Sequence, residues 1–150
     1  RQLALGDIPD LGAAQLNILR DPSLVPVGEH LRQRFGTPYV PSFPTGFSDT
    51  LTFISSVAAA CQVDPGRALE REQALQAEVL ADFADIGDVQ GMFCGPVMDS
   101  ASFRAAREAA DALHISVLKN PEAYPLPVHP VVGTIGIRRM LHRWRRAIHA

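Results

Sequence analysis

Apolar residues recur at helical spacing in several stretches of this 150-residue chain, and short β-prone runs separate those stretches. Helical spacing places apolar side chains on one helix face, whereas short apolar runs between glycines or prolines are typical of buried strands. The pattern predicts helices over 23–36, 48–63, 64–87, 99–114 and 136–150. It predicts strands or extended segments at the end of 12–19 and over 38–43, 91–95 and 115–118, and a loop over 120–130. This alternation indicates an α/β fold, with a parallel Rossmann-like sheet and helices on both faces.

Capping residues define the helix boundaries more closely. Ser23 is an N-cap candidate for the first helix, and Gly36 stands where a left-handed C-terminal residue is expected. Ser48 and Asp49 are predicted to cap the second helix. The apolar stripe of that helix predicts a buried Cys61. The stripe consists of Leu51, Ile54, Val57, Ala58 and Cys61.

The charge balance narrows the class of function. Lys and Arg number 14 and Asp and Glu number 16, which gives a formal net charge of −2. No nucleic-acid partner is expected, because such binders usually carry a basic excess. No apolar run reaches the ~18–20 residues of a membrane span and no secretory signal is recognisable, so a cytoplasmic location is predicted. The chain enters patterned sequence directly at Arg1, which suggests a fragment of a longer protein, with residues 1–150 forming one α/β region.

Few residues in the sequence carry chemistry by themselves. Glycine-rich nucleotide fingerprints and a nucleophile elbow are absent from the sequence. Two cysteines, Cys61 and Cys94, are too few for a disulfide scaffold or for a four-thiolate cluster held by this chain alone. Cys94 ends a predicted strand, where ligands bind in open α/β sheets, although most free cysteines are small buried hydrophobes. His129 is the candidate binding histidine, and the alternative is a loop histidine in solvent.

The last predicted helix is basic on one side and apolar on the other. A basic amphipathic helix can lie on a membrane surface or on a partner. The favoured interpretation is a packed terminal helix with a solvated basic face, and an acidic patch on a partner subunit is the second choice. The arginines are Arg138, Arg139, Arg143, Arg145 and Arg146, and the apolar residues are Ile137, Met140, Leu141, Trp144 and Ile148.

The loop "PSFPTG", residues 41–46, stands between a predicted strand and a predicted helix. Its prolines fix φ and remove N–H donors, and Gly46 then lets the chain turn and leaves nearby backbone N–H groups free. Such a loop before a helix N-terminus can receive an anionic or electron-rich group. The alternative is a rigid turn that only connects strand and helix, and the sequence favours neither interpretation over the other.

Short motifs follow one another along nearly the whole chain in a recognisable order. They are FGTP (35–38), FPTG (43–46), SDTLTFI (48–54), EREQALQAEVLADFADI (70–86), GMFCGPVMDSASF (91–103) and PVVGTIGIRRML (130–141). Their order and spacing resemble the middle-to-late region of the nitrogenase component 1 family. That family includes nitrogenase subunits, scaffold proteins for nitrogenase cofactor assembly, and the dark-operative protochlorophyllide and chlorophyllide reductases.

The resemblance implies repeated α/β domains, paired subunits and electrons from an ATP-dependent iron–sulfur reductase. The family's iron–sulfur clusters lie near subunit interfaces, and the cysteines of the bridging cluster belong to an N-terminal domain that this chain lacks. No cofactor is therefore expected on this fragment alone, and an iron–sulfur cluster is expected in the full complex. Arg20 and Ala123 stand where the catalytic nitrogenase subunit has its cysteine and histidine ligands. The "CGPVMD" loop also lacks that subunit's arginine, so the resemblance is to the β-type or scaffold branch.

The resemblance thus predicts a non-catalytic subunit that lines the cluster or substrate cleft and packs against a second nitrogenase-like subunit. No catalytic residue and no metal ligand are expected in this chain. The competing hypothesis is a stand-alone α/β interaction module without redox activity. The residues predicted to line the cleft, as cofactor-binding positions, are Thr45, Gly46, Gly95, His129 and Gly133.

Overall fold

The computed structural model describes residues 13–95, 99–120 and 122–150. The chain divides into two compact units. The first unit comprises the chain up to Phe43 together with Thr52–Pro65, and the second comprises Pro44–Leu51 together with Gly66–Ala150. Every described strand pair in both units is parallel, and helices connect consecutive strands everywhere except between the last two strands of the second unit. The predicted α/β class is therefore confirmed, whereas the prediction of one region over 1–150 stays a prediction.

The first unit contains a small β-α-β arrangement. Strand β1 (Asn17–Ile18) pairs with strand β2 (Tyr39–Val40), and helix α1 (Val25–Phe35) connects them. Parallel strands need such a crossover because the chain must return to the starting end of the sheet before the next strand can run in the same direction. The short pairing is extended by Leu19, whose N–H donates to the Val40 carbonyl at 2.9 Å.

The ends of α1 follow from local chemistry. The prediction that Ser23 is the N-cap is wrong, because the helix is preceded by a 3₁₀ turn that Asp21 caps. The Asp21 carboxylate accepts from the Ser23 N–H at 2.8 Å. The prediction for Gly36 is confirmed: it ends α1 with φ of 72°, a left-handed conformation that glycine adopts without a steric cost.

Helix α2 (Phe47–Ala60) begins one residue before its predicted cap. Ser48 and Asp49 lie inside its first turn, so their prediction as caps is wrong. The prediction of a buried Cys61 is also wrong, because this residue is exposed. The helix ends just before it and the chain turns at Gln62, where φ is 56°, so helical spacing no longer sets the direction of the Cys61 side chain.

The second unit is built on a three-stranded parallel sheet with the order β4–β3–β5. The strands are β3 (Gln90–Cys94), β4 (Ser116–Val117) and β5 (Tyr124–Pro127). The prediction of a loop over 120–130 is wrong, because β5 pairs with β3 along its full length. An edge strand tolerates Pro125 and Pro127 because its outer side needs no N–H donors.

Three helices complete the second unit around a continuous apolar core. They are α3 (Gly66–Asp82), α4 (Ser100–Ala112) and α5 (Gly133–Ile148). Asp99 caps α4 by accepting from the Ser102 N–H at 2.8 Å. The predicted apolar face of α5 is confirmed, since Trp144 is fully buried and donates from Nε1 to the Pro127 carbonyl at 3.0 Å. No helix among the described residues has the length and apolar character needed to cross a membrane.

Candidate functional site

Two strand ends lie side by side in the second unit. Strands β3 and β5 run parallel with Cys94 opposite Pro127, and the Val128 N–H donates to the Cys94 carbonyl at 2.7 Å. Gly95 and His129 therefore leave the sheet from neighbouring strand ends, where ligands bind in open α/β sheets. We call this region the carboxyl edge. It is defined here as Gly95 and His129 at the strand ends, Gly133 four residues after His129, and Pro44, Thr45 and Gly46 of the loop that is hydrogen-bonded to Gly133.

The absence of a side chain at Gly95 has a packing reason. A Cβ atom added there would lie 2.7 Å from the Val128 carbonyl oxygen, well inside van der Waals contact. A glycine is required because the two strand ends approach so closely. A ligand is not needed to explain Gly95, and its predicted cofactor-binding role stays a prediction.

Gly133, the first residue of α5, forms a hydrogen bond to the loop of residues 41–46, which we call the proline loop. Its φ is 63°, which favours glycine, and its N–H donates to the Pro44 carbonyl at 2.7 Å. This hydrogen bond places Thr45 and Gly46 beside the first turn of α5. Thr45, Gly46 and Gly133, three of the five predicted residues, therefore lie close together, although Gly46 and Gly133 are far apart in the sequence.

A glutamate that sequence reasoning did not identify occupies the start of α2. The Glu108 carboxylate accepts from the Phe47 N–H at 2.8 Å, from the Ser48 N–H at 2.9 Å and from the Ser48 hydroxyl. The prediction of free N–H groups after Gly46 is therefore wrong for Phe47 and Ser48. An anion does bind at this helix N-terminus, but it is a side chain of the same protein.

Helix α3 supplies a second carboxylate at the start of α5. The Thr134 hydroxyl donates to Glu72 Oε1 at 2.5 Å. Gln76, one turn further along α3, donates from Nε2 to Glu72 at 3.3 Å and to the Phe47 carbonyl at 3.1 Å. Both helices that begin at the carboxyl edge are thus held by glutamates from neighbouring helices, which favours a fixed backbone at this edge.

The described residues do not provide the donor set of an iron–sulfur cluster. Such clusters are usually held by four cysteines. Here Cys61 is exposed in the first unit and Cys94 is half-buried in the second. Across 13–95, 99–120 and 122–150, no three His, Cys, Asp or Glu side chains come together in a metal-binding arrangement. No reaction step through such a cluster can be assigned to these residues.

Two grooves are lined by residues of the carboxyl edge, one by Gly46 and the other by His129. One, of about 480 Å³, runs along α4 beside Gly46 and Glu108. The other, of about 360 Å³, lies between the His129 segment and α5, where Arg139 and Arg143 line it. His129 is half-buried and lines the second groove, and its predicted binding role stays a prediction. Both volumes are within the range of small-ligand sites.

Comparison with known proteins gives a partial similarity. No protein-family model matches the chain. The chain is 38% identical over 66 residues to one subunit of the light-independent protochlorophyllide reductase of Jannaschia sp. (strain CCS1). The match covers 43% of this chain and 13% of that protein. It supports a relationship to the nitrogenase-like reductases, in agreement with the family resemblance drawn from the motifs.

Proposed function

We propose that this chain is part of a non-catalytic subunit of a nitrogenase-like, ATP-dependent two-component oxidoreductase, of the β-type or the scaffold type. The observation that carries the proposal is the 38% identity over 66 residues to one chain of a protochlorophyllide reductase. The parallel α/β architecture supports it as well. The subunit pairs with a second nitrogenase-like subunit and receives electrons from an ATP-dependent iron–sulfur reductase, in the cytoplasm.

The role proposed for the carboxyl edge is to form a wall of the cluster or substrate cleft. Glu108 and Glu72 fix the starts of α2 and α5, so the loop through Thr45 and Gly46 is held in place. His129 adds an imidazole side chain, which can donate or accept a hydrogen bond, to the groove beside α5. The cluster would be held by cysteines outside the described residues, and it would supply the electron transfer.

The second candidate is an interaction module without redox activity. The observation that favours it is the filling of the α2 N-terminus by Glu108, because an internal carboxylate satisfies groups that would otherwise hold an anionic ligand. The described residues do not include the four thiolates that an iron–sulfur cluster needs. This finding is compatible with either candidate, since a partner or another part of the protein can provide thiolates.

The first experiment is anaerobic native mass spectrometry of the complex isolated from the source cells through a tag on this protein. We expect a second subunit and the added mass of iron and sulfide. A species of 16.3 kDa that carries neither partner nor metal would overturn the oxidoreductase proposal and leave the interaction module.

A variant then tests the role of the carboxyl edge in the isolated complex. With protochlorophyllide as the probe substrate, His129→Ala is expected to raise KM by about tenfold, because a binding contact made by the ground state is lost. The control is His30→Ala, an exposed histidine of α1 in the first unit. Equal KM values for the two variants would contradict a role of His129 in the cleft wall.

A further inference from the structure

The five arginines of α5 fall into two groups. Arg138 donates to the Asp82 carboxylate at 2.7 Å, and Arg145 donates to the Asp85 carboxylate at 2.5 Å. The Arg145 guanidinium also lies over the ring of Phe83, 4.1 Å from its centroid. These two arginines are therefore used within the chain to hold α5 against the end of α3.

The other three arginines form an exposed row that we call the cationic stripe: Arg139, Arg143 and Arg146. They are four and three positions apart, so they lie on one face of the helix. Within the described ranges none of them forms an ion pair or a hydrogen bond. Like charges at this spacing repel one another, so the arginines of the stripe do not stabilise each other, and only Arg146 has a favourable position, in the last turn of the helix.

The surroundings of the cationic stripe are also suited to a partner. The groove of about 360 Å³ beside His129 and a second groove of about 420 Å³ beside His142 share Arg139 and Arg143 as a common wall. No carboxylate of the described residues lines either groove. At the start of the helix, on the same face, Ile135 is 48% exposed and Val132 just before it is 53% exposed.

We propose that the cationic stripe, together with Val132 and Ile135, docks an acidic amphipathic helix of a partner protein. The partner would place carboxylates three to four positions apart against the arginines and apolar side chains against the two exposed aliphatic residues. Arginine and desolvated apolar contacts are the usual centres of protein interfaces. This inference goes beyond the proposed redox role and does not require it.

Two other classes of partner fit the surface less well. A nucleic-acid duplex carries a charge about every 1.7 Å, far more negative charge than a row of three arginines can neutralise. A membrane-binding helix needs large apolar side chains on its exposed face. In α5 Ile135 is exposed, but the larger apolar residues Met140 and Trp144 are buried in the core.

The test is fluorescence anisotropy with a synthetic helix of about 20 residues that carries glutamates three and four positions apart and two leucines at one end. We expect binding that weakens by about tenfold between about 50 mM and about 200 mM salt. Arg139→Glu combined with Arg143→Glu is expected to weaken it by a further factor of about ten. Circular dichroism checks that the variant is folded.

The matched control is Arg67→Glu combined with Arg71→Glu, which changes the net charge equally on the exposed side of α3. An equal loss of binding in the control would overturn the proposal, because the stripe would then act only through net charge. Absence of binding below about 1 mM peptide would also overturn it. A duplex DNA or a phosphatidylserine vesicle that binds more tightly than the peptide would overturn it in favour of another partner class.

Discussion

At the scale of single residues, Glu108 determines how the proline loop enters α2. Its carboxylate accepts three hydrogen bonds from Phe47 and Ser48, which lie 61 and 60 positions away in the sequence. A sequence pattern reveals capping by residues close to a helix start, so it predicts Ser48 and Asp49 as the caps. A cap that comes from another helix leaves no signal in the sequence near the helix start. The Glu108 carboxylate also needs a glycine at position 46, because a Cβ atom there would overlap it.

We expect Glu108→Ala to lower the free energy of unfolding by about 2 kcal/mol, since it removes charge-assisted hydrogen bonds at a helix N-terminus. Gly46→Ala should cost nearly as much, because the added methyl group would overlap the Glu108 carboxylate and displace it from Phe47 and Ser48. The two variants remove the same interaction, so the double variant should cost about 1.5 kcal/mol less than their sum.

Urea unfolding followed by the fluorescence of Trp144 measures these changes in the unit that contains them. The control is Glu70→Ala, an exposed glutamate of α3, for which we expect a change within about 0.5 kcal/mol. Additive costs for Glu108→Ala and Gly46→Ala would contradict the shared mechanism.

At the scale of elements, α5 shows which features a sequence pattern predicts well. Its apolar face could be predicted because a buried helix face repeats along its whole length, and Ile137, Met140, Leu141 and Trp144 are all buried. The division of its arginines could not be predicted, because it depends on the position of α3. Strand β5 could not be predicted for a related reason: prolines are unfavourable in a strand until its place at the sheet edge is known.

The contact between α5 and Asp85 predicts a dependence of stability on pH. A hydrogen bond from Arg145 lowers the pKa of the Asp85 carboxyl below its ordinary value, and His149 lowers it further by a smaller amount. Because the pKa is lower in the folded state, this contribution to stability is fully present above the unfolded pKa of about 3.9. It is lost as the pH falls through the lower folded-state pKa.

We therefore expect Asp85→Asn to be less stable than the wild type at about pH 7 and to approach the wild type as the pH falls toward about 2. The measurement is the difference between the two urea midpoints at several pH values. Asp88→Asn, an equal change at an exposed neighbour, serves as the control. A difference for Asp85→Asn that stays constant over this pH range would show that the ion pair with Arg145 does not stabilise the fold.

At the scale of the whole molecule, the core of the described residues is concentrated in the second unit. The continuous apolar cluster consists of residues of that unit alone, among them Val79, Leu126 and the single tryptophan, Trp144. The described part of the first unit buries fewer large side chains, including Leu19 and Val40, around strands of two residues each. Two-stranded sheets of this size are marginal alone. Trp144 fluorescence should therefore report the second unit and not the first.

A pair of matched substitutions tests this division. Val79 in the second unit is 0% exposed and Val40 in the first is 1% exposed, so Val→Ala removes the same buried volume in each. We expect Val79→Ala to lower the stability measured by Trp144 fluorescence by about 2 kcal/mol. Val40→Ala should leave that transition within about 0.5 kcal/mol and should instead speed hydrogen exchange of the Leu19 N–H, which donates to the Val40 carbonyl. If Val40→Ala shifted the fluorescence transition as far as Val79→Ala, the two units would unfold as one cooperative structure.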